Sequence, residues 1–160
     1  MAHKIMVALD SSDGAWRAVA YVARTFGQAP GVEVTLLNIL TGLPPAFWDD
    51  GHILEDQEKE GRQRMIAQWQ ADEEKNWQSL VAKAKEQLVA VGIPPAMVAS
   101  KFKPKYYDVA EDIVSEAVNT GCATIVMGRR GLGKAKALLL GSVTSKVVQN
   151  ARGCTVTIVE

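Results

Sequence analysis

The chain has 160 residues, 48% of them apolar, enough for one domain with a full-sized core and too short for a comfortable second. Lysine plus arginine number 18 and aspartate plus glutamate number 18, so the net charge is zero. That balance argues against a general nucleic-acid binder and a polybasic membrane anchor, and an apolar chain without net charge is not a disordered one.

In chain order, residues 5–9 are apolar throughout and end in the polar cluster Asp10, Ser11, Ser12, Asp13, which suits a strand covered on both faces. From about Ser12 the spacing turns helical, with Ala15, Val19, Val22 and Phe26 on one face and Gly27 as the expected stop. Residues 32–40 read as a second strand. Residues 97–103 alternate only partly (Val98, Lys101, Phe102) and predict an edge strand. Asp108 with Glu111 resembles a capping box and opens a helix over Val109, Ile113 and Ala117 that closes near Gly121. A fourth strand over 123–127, a glycine-rich stretch, a helix over Val143, Val147 and Val148 and a last strand over 155–159 complete the chain.

Five strands with helical crossovers predict a parallel α/β sheet with helices on both faces. The crossover from Leu40 to Met97 is far longer than the dozen or so residues needed. Its second half is amphipathic (Trp77, Leu80, Val81, Ala84, Leu88, Val91) and stops at Gly92 and Pro94. Its first part, about 42–72, reads as an insertion. Pro44 and Pro45 stiffen its exit, Phe47 and Trp48 form an apolar tip, and a polar run over 55–64 has no core-facing stripe. Two readings stand open for it: a lid or partner surface at the ligand crevice, or an extension that merely lengthens the second helix.

The glycine-rich stretch carries the chemistry. A strand running into glycines and then a helix lets backbone amides approach an anion closely. Gly128 to Ala135 fails as a P-loop, because Ala135 stands where a Ser or Thr must meet magnesium. The dinucleotide fingerprint fails because Lys136 occupies its last glycine position. What fits is Gly-x-x-Gly, nine residues, then Gly-Ser, at Gly128, Gly131, Gly141 and Ser142.

That spacing resembles the nucleotide-binding signature of the universal stress protein family. The resemblance extends to the opening strand ending in Asp10, the second strand over 36–40, the turn over 125–131 and the helix start over 140–144. It implies a single Rossmann-like domain over residues 1–160, with sheet order 3-2-1-4-5. It also implies ATP at the ends of strands one and four, with Mg2+ held through the phosphates, and a homodimer through the last strand. Strand-order reversal points to the same crevice, between Asp10 and Gly128. Carried over by position, Asp10, Ala8, Leu9 and Ile39 lie near the base. Met127 and Gly128 line the ribose side, and Gly131, Gly141, Ser142, Val143 and Thr144 cradle phosphate. Arg130 occupies a variable position of the family. The chain departs from the family where Lys105 to Asp108 replace a common Gly-x-Pro, and where Thr155 follows Cys154 in place of proline.

Simpler roles stand beside these. Asp10 also suits a helix N-cap, which is compatible with a ligand role. Among Arg129, Arg130, Lys134 and Lys136, at least two read as solvated loop charge. His3 and His52 read as surface residues, and Trp16, Trp69 and Trp77 as packing. Cys122 and Cys154, too few for a disulfide framework and not at metal-ligand spacing, read as neighbouring reduced thiols. The first ten residues enter a strand pattern without a cleavable signal, and no window approaches about 18 uninterrupted apolar residues, so the expected location is the cytoplasm.

No Ser-His-Asp order, carboxylate pair or zinc cluster stands out, and no Asp ends the third strand as a receiver domain requires. The expectation is an ATP-binding regulatory protein of the stress response with at most slow hydrolysis and an unspecified protein partner. The alternatives are an enzyme of ATP turnover or phosphotransfer, and a dimeric interaction module independent of nucleotide.

Overall fold

The computed structural model describes residues 2–48, 51, 53–132 and 140–160. The strands β1 (His3–Ala8), β2 (Val32–Leu40), β3 (Val98–Pro104), β4 (Thr124–Gly128) and β5 (Thr155–Val159) pair in parallel throughout. Their order is β3-β2-β1-β4-β5, as the resemblance implied. The helices α1 (Asp13–Phe26), α2 (Asp56–Ala90), α3 (Val109–Thr120) and α4 (Ser142–Asn150) cover the two faces.

The pleat divides the core. Ile5, Val7 and Leu9 turn to the side of α1 and α2, while Met6 turns to the side of α3 and α4. β4 is buried at every position, which is why its residues 125–127 run apolar instead of alternating. β3 is an edge strand as expected, and its Lys101 and Lys103 both reach Glu116 of α3. Glu116 is 4% exposed. Burial pushes its carboxyl up, but the hydrogen bonds from Lys101 and Lys103 outweigh burial and hold it below its ordinary range.

Three expectations change, and a further one gains a reason. Gly27 caps α1 as expected, in a right-handed conformation (φ −54°). A Cβ there would lie 2.6 Å from Cγ2 of Val91, so this glycine serves the close approach of α1 to the end of α2. The amphipathic helix expected around Trp77 begins much earlier, at Asp56, and runs unbroken for 35 residues. Gly61 is its one glycine and it holds no proline, so nothing in the sequence breaks it. Its start is a capping box built from two glutamates instead of the usual Ser or Thr, with Glu55 and Glu58 satisfying each other's backbone amides. At α3, Asp108 accepts from the Glu111 amide at 3.0 Å, while the carboxylate of Asp112, not Glu111, holds the amides of Tyr106 and Tyr107. Finally, His3 is half-buried and stacks on Phe26 with ring centroids 5.4 Å apart.

Trp77 is buried and stacks on Phe102, as a packing role requires. Cys122 is buried and Cys154 half-buried; both are free thiols in the α3–α4 side of the core. Burial, and to a lesser degree Cys122, push the Cys154 thiol up. Among the described residues, no helix is long and apolar enough to cross a membrane. His52, Gly133, Lys134, Ala135 and Lys136 lie outside the described residues.

Candidate functional site

β1 and β4 lie side by side, and the chain leaves them in opposite directions across the sheet. The crevice outside their carboxyl ends is therefore fixed by topology. Below it, α1 crosses β4 at close range. A Cβ on Gly14, in the first turn of α1, would lie 2.5 Å from the carbonyl oxygen of Arg130. One on Gly128 would lie 2.5 Å from the carbonyl carbon of Gly14. Helix and strand thus meet backbone on backbone.

The local order above this crossing follows from short polar contacts. Ser12 caps α1, its Oγ accepting from the Ala15 amide at 3.2 Å. Asp10, weighed as a cap itself, instead accepts from the Ser12 amide at 2.8 Å through one carboxylate oxygen. Its other oxygen lies 3.1 Å from where a Cβ on Gly131 would sit. Asp10 therefore faces the glycine turn across the crevice. The Asn38 side-chain amide donates to the Leu9 carbonyl at 2.7 Å and fixes the end of β1 against β2.

α4 is tied in by two bonds. The Gly141 amide donates to the Arg129 carbonyl at 3.0 Å, and the buried Thr144 hydroxyl donates to the Gly128 carbonyl at 3.1 Å. A Cβ on Gly141 would lie 3.3 Å from Cα of Arg130. Gly141 is thus small because the Arg129–Arg130 backbone passes it, and the Thr144 hydroxyl is engaged in holding α4 to β4. Ser142, by contrast, is exposed at the helix start.

Between these elements opens a cavity of about 590 Å³, within the range of about 300–1,000 Å³ common for small-molecule sites. Ala8, Leu9, Asp10, Ile39, Met127, Gly128, Arg130, Gly131, Gly141, Ser142, Val143 and Thr144 all line it. The structure brings every candidate of the sequence reading to one place. It adds Asn38, Thr41 and Glu73 as polar lining groups, and Leu40, Val109 and Ile113 as apolar ones. Asn38 carries a signal in hindsight, as a polar residue inside an apolar strand; Glu73 carries none. A second cavity of about 500 Å³ opens beside the first at Arg17, Arg129 and Arg130, where Arg129 also pairs with Glu160.

Fold and cavity define the class: an open parallel α/β domain with a ligand-sized crevice at its switch point. The model of the universal stress protein family matches residues 1–160, and the chain belongs to that family. It is 27% identical over 162 residues to universal stress protein YxiE of Bacillus subtilis (strain 168), covering 93% of each chain. Among solved structures it is similar to MJ0577, with a TM-score of 0.71 and 24% identity over 99% of this chain and 96% of that one. It is also similar to the universal stress protein from Archaeoglobus fulgidus in complex with dAMP, with a TM-score of 0.62 and 18% identity over 100% of this chain and 98% of that one. At those identities the two structures speak for the fold alone.

Proposed function

We propose that this protein binds ATP in the β1/β4 crevice and acts as a nucleotide-responsive regulatory protein of the stress response in the cytoplasm, with at most slow hydrolysis. The observation that carries the proposal is the single cavity lined by both the Asp10 strand end and the complete glycine signature. The archaeal neighbour's dAMP supports an adenine nucleotide as the ligand class. The fit is physical. Apolar walls from Ile39, Val109 and Met127 suit a base and sugar, and the Arg130–Gly131 turn with the start of α4 offers amides and a guanidinium to phosphates. Mg2+ is held through phosphates and water, because Ala135 replaces the hydroxyl that a P-loop supplies.

Calorimetry with ATP tests the site. Gly141→Val pushes against the Arg129–Arg130 backbone and should lower affinity at least tenfold. Unchanged binding in that variant would reject the assignment. A homodimer through β5 belongs to the same proposal. Thr155 donates inward to Ala123, so alternation along the parallel strand turns the Val156 and Ile158 amides outward on an unpaired edge. Val156→Pro removes one outward donor and should weaken association in light scattering; a wild-type mass that stays monomeric at micromolar concentration would end the idea.

The segment leaving β2 is proposed as a lid over this site. Its Pro45–Phe47 turn is tied to α2 by Arg62, which donates to the Phe47 carbonyl, while Trp48 is 67% exposed. A lid gains hydrogen-exchange protection over 47–54 when ATP binds. Exchange there that ignores ATP leaves the segment as a surface extension.

A further inference from the structure

Glu73 is the one described residue of α2 that lines the nucleotide cavity. It is half-buried, and among the described residues its carboxylate has no hydrogen bond or ion pair. Its place follows from the packing around it. Glu73 lies one helical turn before Trp77, Trp77 stacks on Phe102, and Phe102 pairs in register with Asn38 of β2. The carboxylate therefore stands on the β2–β3 side of the cavity. The glycine turn and the start of α4 stand on the β4 side.

Resting on the ATP reading above, we infer that Glu73 selects the base, accepting a hydrogen bond from the exocyclic amine of adenine. A negative charge at this wall repels phosphate, so the phosphates are left to the amides and Arg130 on the opposite side. What remains for the Glu73 side is the base. A carboxylate can only accept hydrogen bonds, and the 6-amino group of adenine is a donor. The other polar side chains at this end of β2, Asn38 and Thr41, are uncharged, and Asn38 is oriented by donating its amide group to the Leu9 carbonyl, so the Glu73 carboxylate is the strongest acceptor on this side. With the base amine at Glu73 and the phosphates at the amides of the glycine turn and of the start of α4, the ligand lies across the cavity in one orientation.

The test compares ATP with purine riboside 5′-triphosphate, which lacks only the 6-amino group, by calorimetry at one salt and magnesium concentration. The wild type should prefer ATP about tenfold, the value of a charge-assisted hydrogen bond in a half-exposed setting. Glu73→Ala should bind the two ligands alike, near the wild-type level for purine riboside triphosphate, and Glu73→Gln should retain part of the preference through its amide oxygen. Circular dichroism of each variant confirms that α2 is intact. A preference that survives in Glu73→Ala, or that is absent from the wild type, overturns the inference while leaving the ATP site standing. So does a series with 2′-deoxy-ATP in which Glu73→Ala erases discrimination at the ribose instead of the base. A wild type that binds none of the three ligands overturns the ATP reading itself, and the inference with it.

Discussion

The two ends of α2 are one continuous helix with two different sources of order. Its buried residues, Trp77, Val81, Ala84 and Leu88, all belong to the C-terminal part, where they face the core shared with α1 and β3. Toward the N-terminus the same face carries Ile66, Trp69 and Glu73, which are only half-buried. There the helix relies on devices of its own: the capping box at Glu55 and Glu58, the pairs Lys59–Asp56 and Arg64–Glu60, and the Gln68–Asp72 bond. Exposed pairs of this kind contribute about 0.3–0.5 kcal/mol each, against roughly 1.5–3 kcal/mol for each large core side chain. The lesson is that a long helix can be anchored by one end and still deliver a side chain from the other. Glu73 sits one turn beyond the anchored part, at the cavity.

The largest expected contrast comes from truncating each end. Leu88→Ala should cost about 3 kcal/mol or more in urea unfolding, because Leu88 is fully buried. Ile66→Ala on the half-buried stretch should cost less than about 1 kcal/mol. Equal costs would mean that the N-terminal part is as well packed as the core, against the contrast drawn above.

Next in size is a buried ion group set against the surface pairs of α2. Replacing Lys101 and Lys103 together by alanine strands the Glu116 carboxylate and should cost about 2 kcal/mol, less than for fully buried pairs because both ammonium groups are half in water. Asp56→Ala, breaking an exposed pair, should stay within about 0.5 kcal/mol. Acid separates the two further. The folded-state pKa of Glu116 is depressed below its ordinary 4.5, so its contribution is fully present above that pH and is lost as pH falls through the folded value. The wild type should therefore lose stability below about pH 4.5 more steeply than Glu116→Gln. Parallel pH profiles for the two would deny Glu116 this role.

Smallest is the cap. Glu58→Ala should cost about 0.5–1 kcal/mol locally, read as faster hydrogen exchange over 56–60, with the global melting temperature unchanged. A lowered melting temperature would couple the free end of α2 to the core after all.

Most of the fold was legible because its signals are local. Residues 5–8 of β1 and 125–127 of β4 run apolar without alternation because both faces are covered there, and Gly121, the left-handed cap of α3 at φ 65°, stops a helix by its own conformation. The glycine signature carried the cavity for a different reason: its spacing reports how a turn and a helix start must pass each other. What escaped was long-range. Gly27 is the stop of α1 that its spacing suggests, but it is also small to admit Val91, more than sixty positions on in the chain. Gly14 resembles any helix-start residue until Gly128 is laid against it. Glu73 reads as one acid in a polar run, and only the unbroken course of α2 past the sheet edge brings it to the ligand wall.

The crossing of Gly14 and Gly128 has a consequence for how this protein can change. At most contacts a larger residue on one side can be offset by a smaller one on the other. Here each position already has the smallest residue, and the atoms a new methyl would strike belong to the opposing backbone. No second substitution at either position can restore the fit. The pair can vary only if α1 moves off β4, and with it the Ser12 cap and the Asp10 carboxylate that frame the crevice. The mouth of the site is therefore closed to gradual remodelling from below, and variation in what the pocket accepts has to enter through its far wall, where α2 arrives.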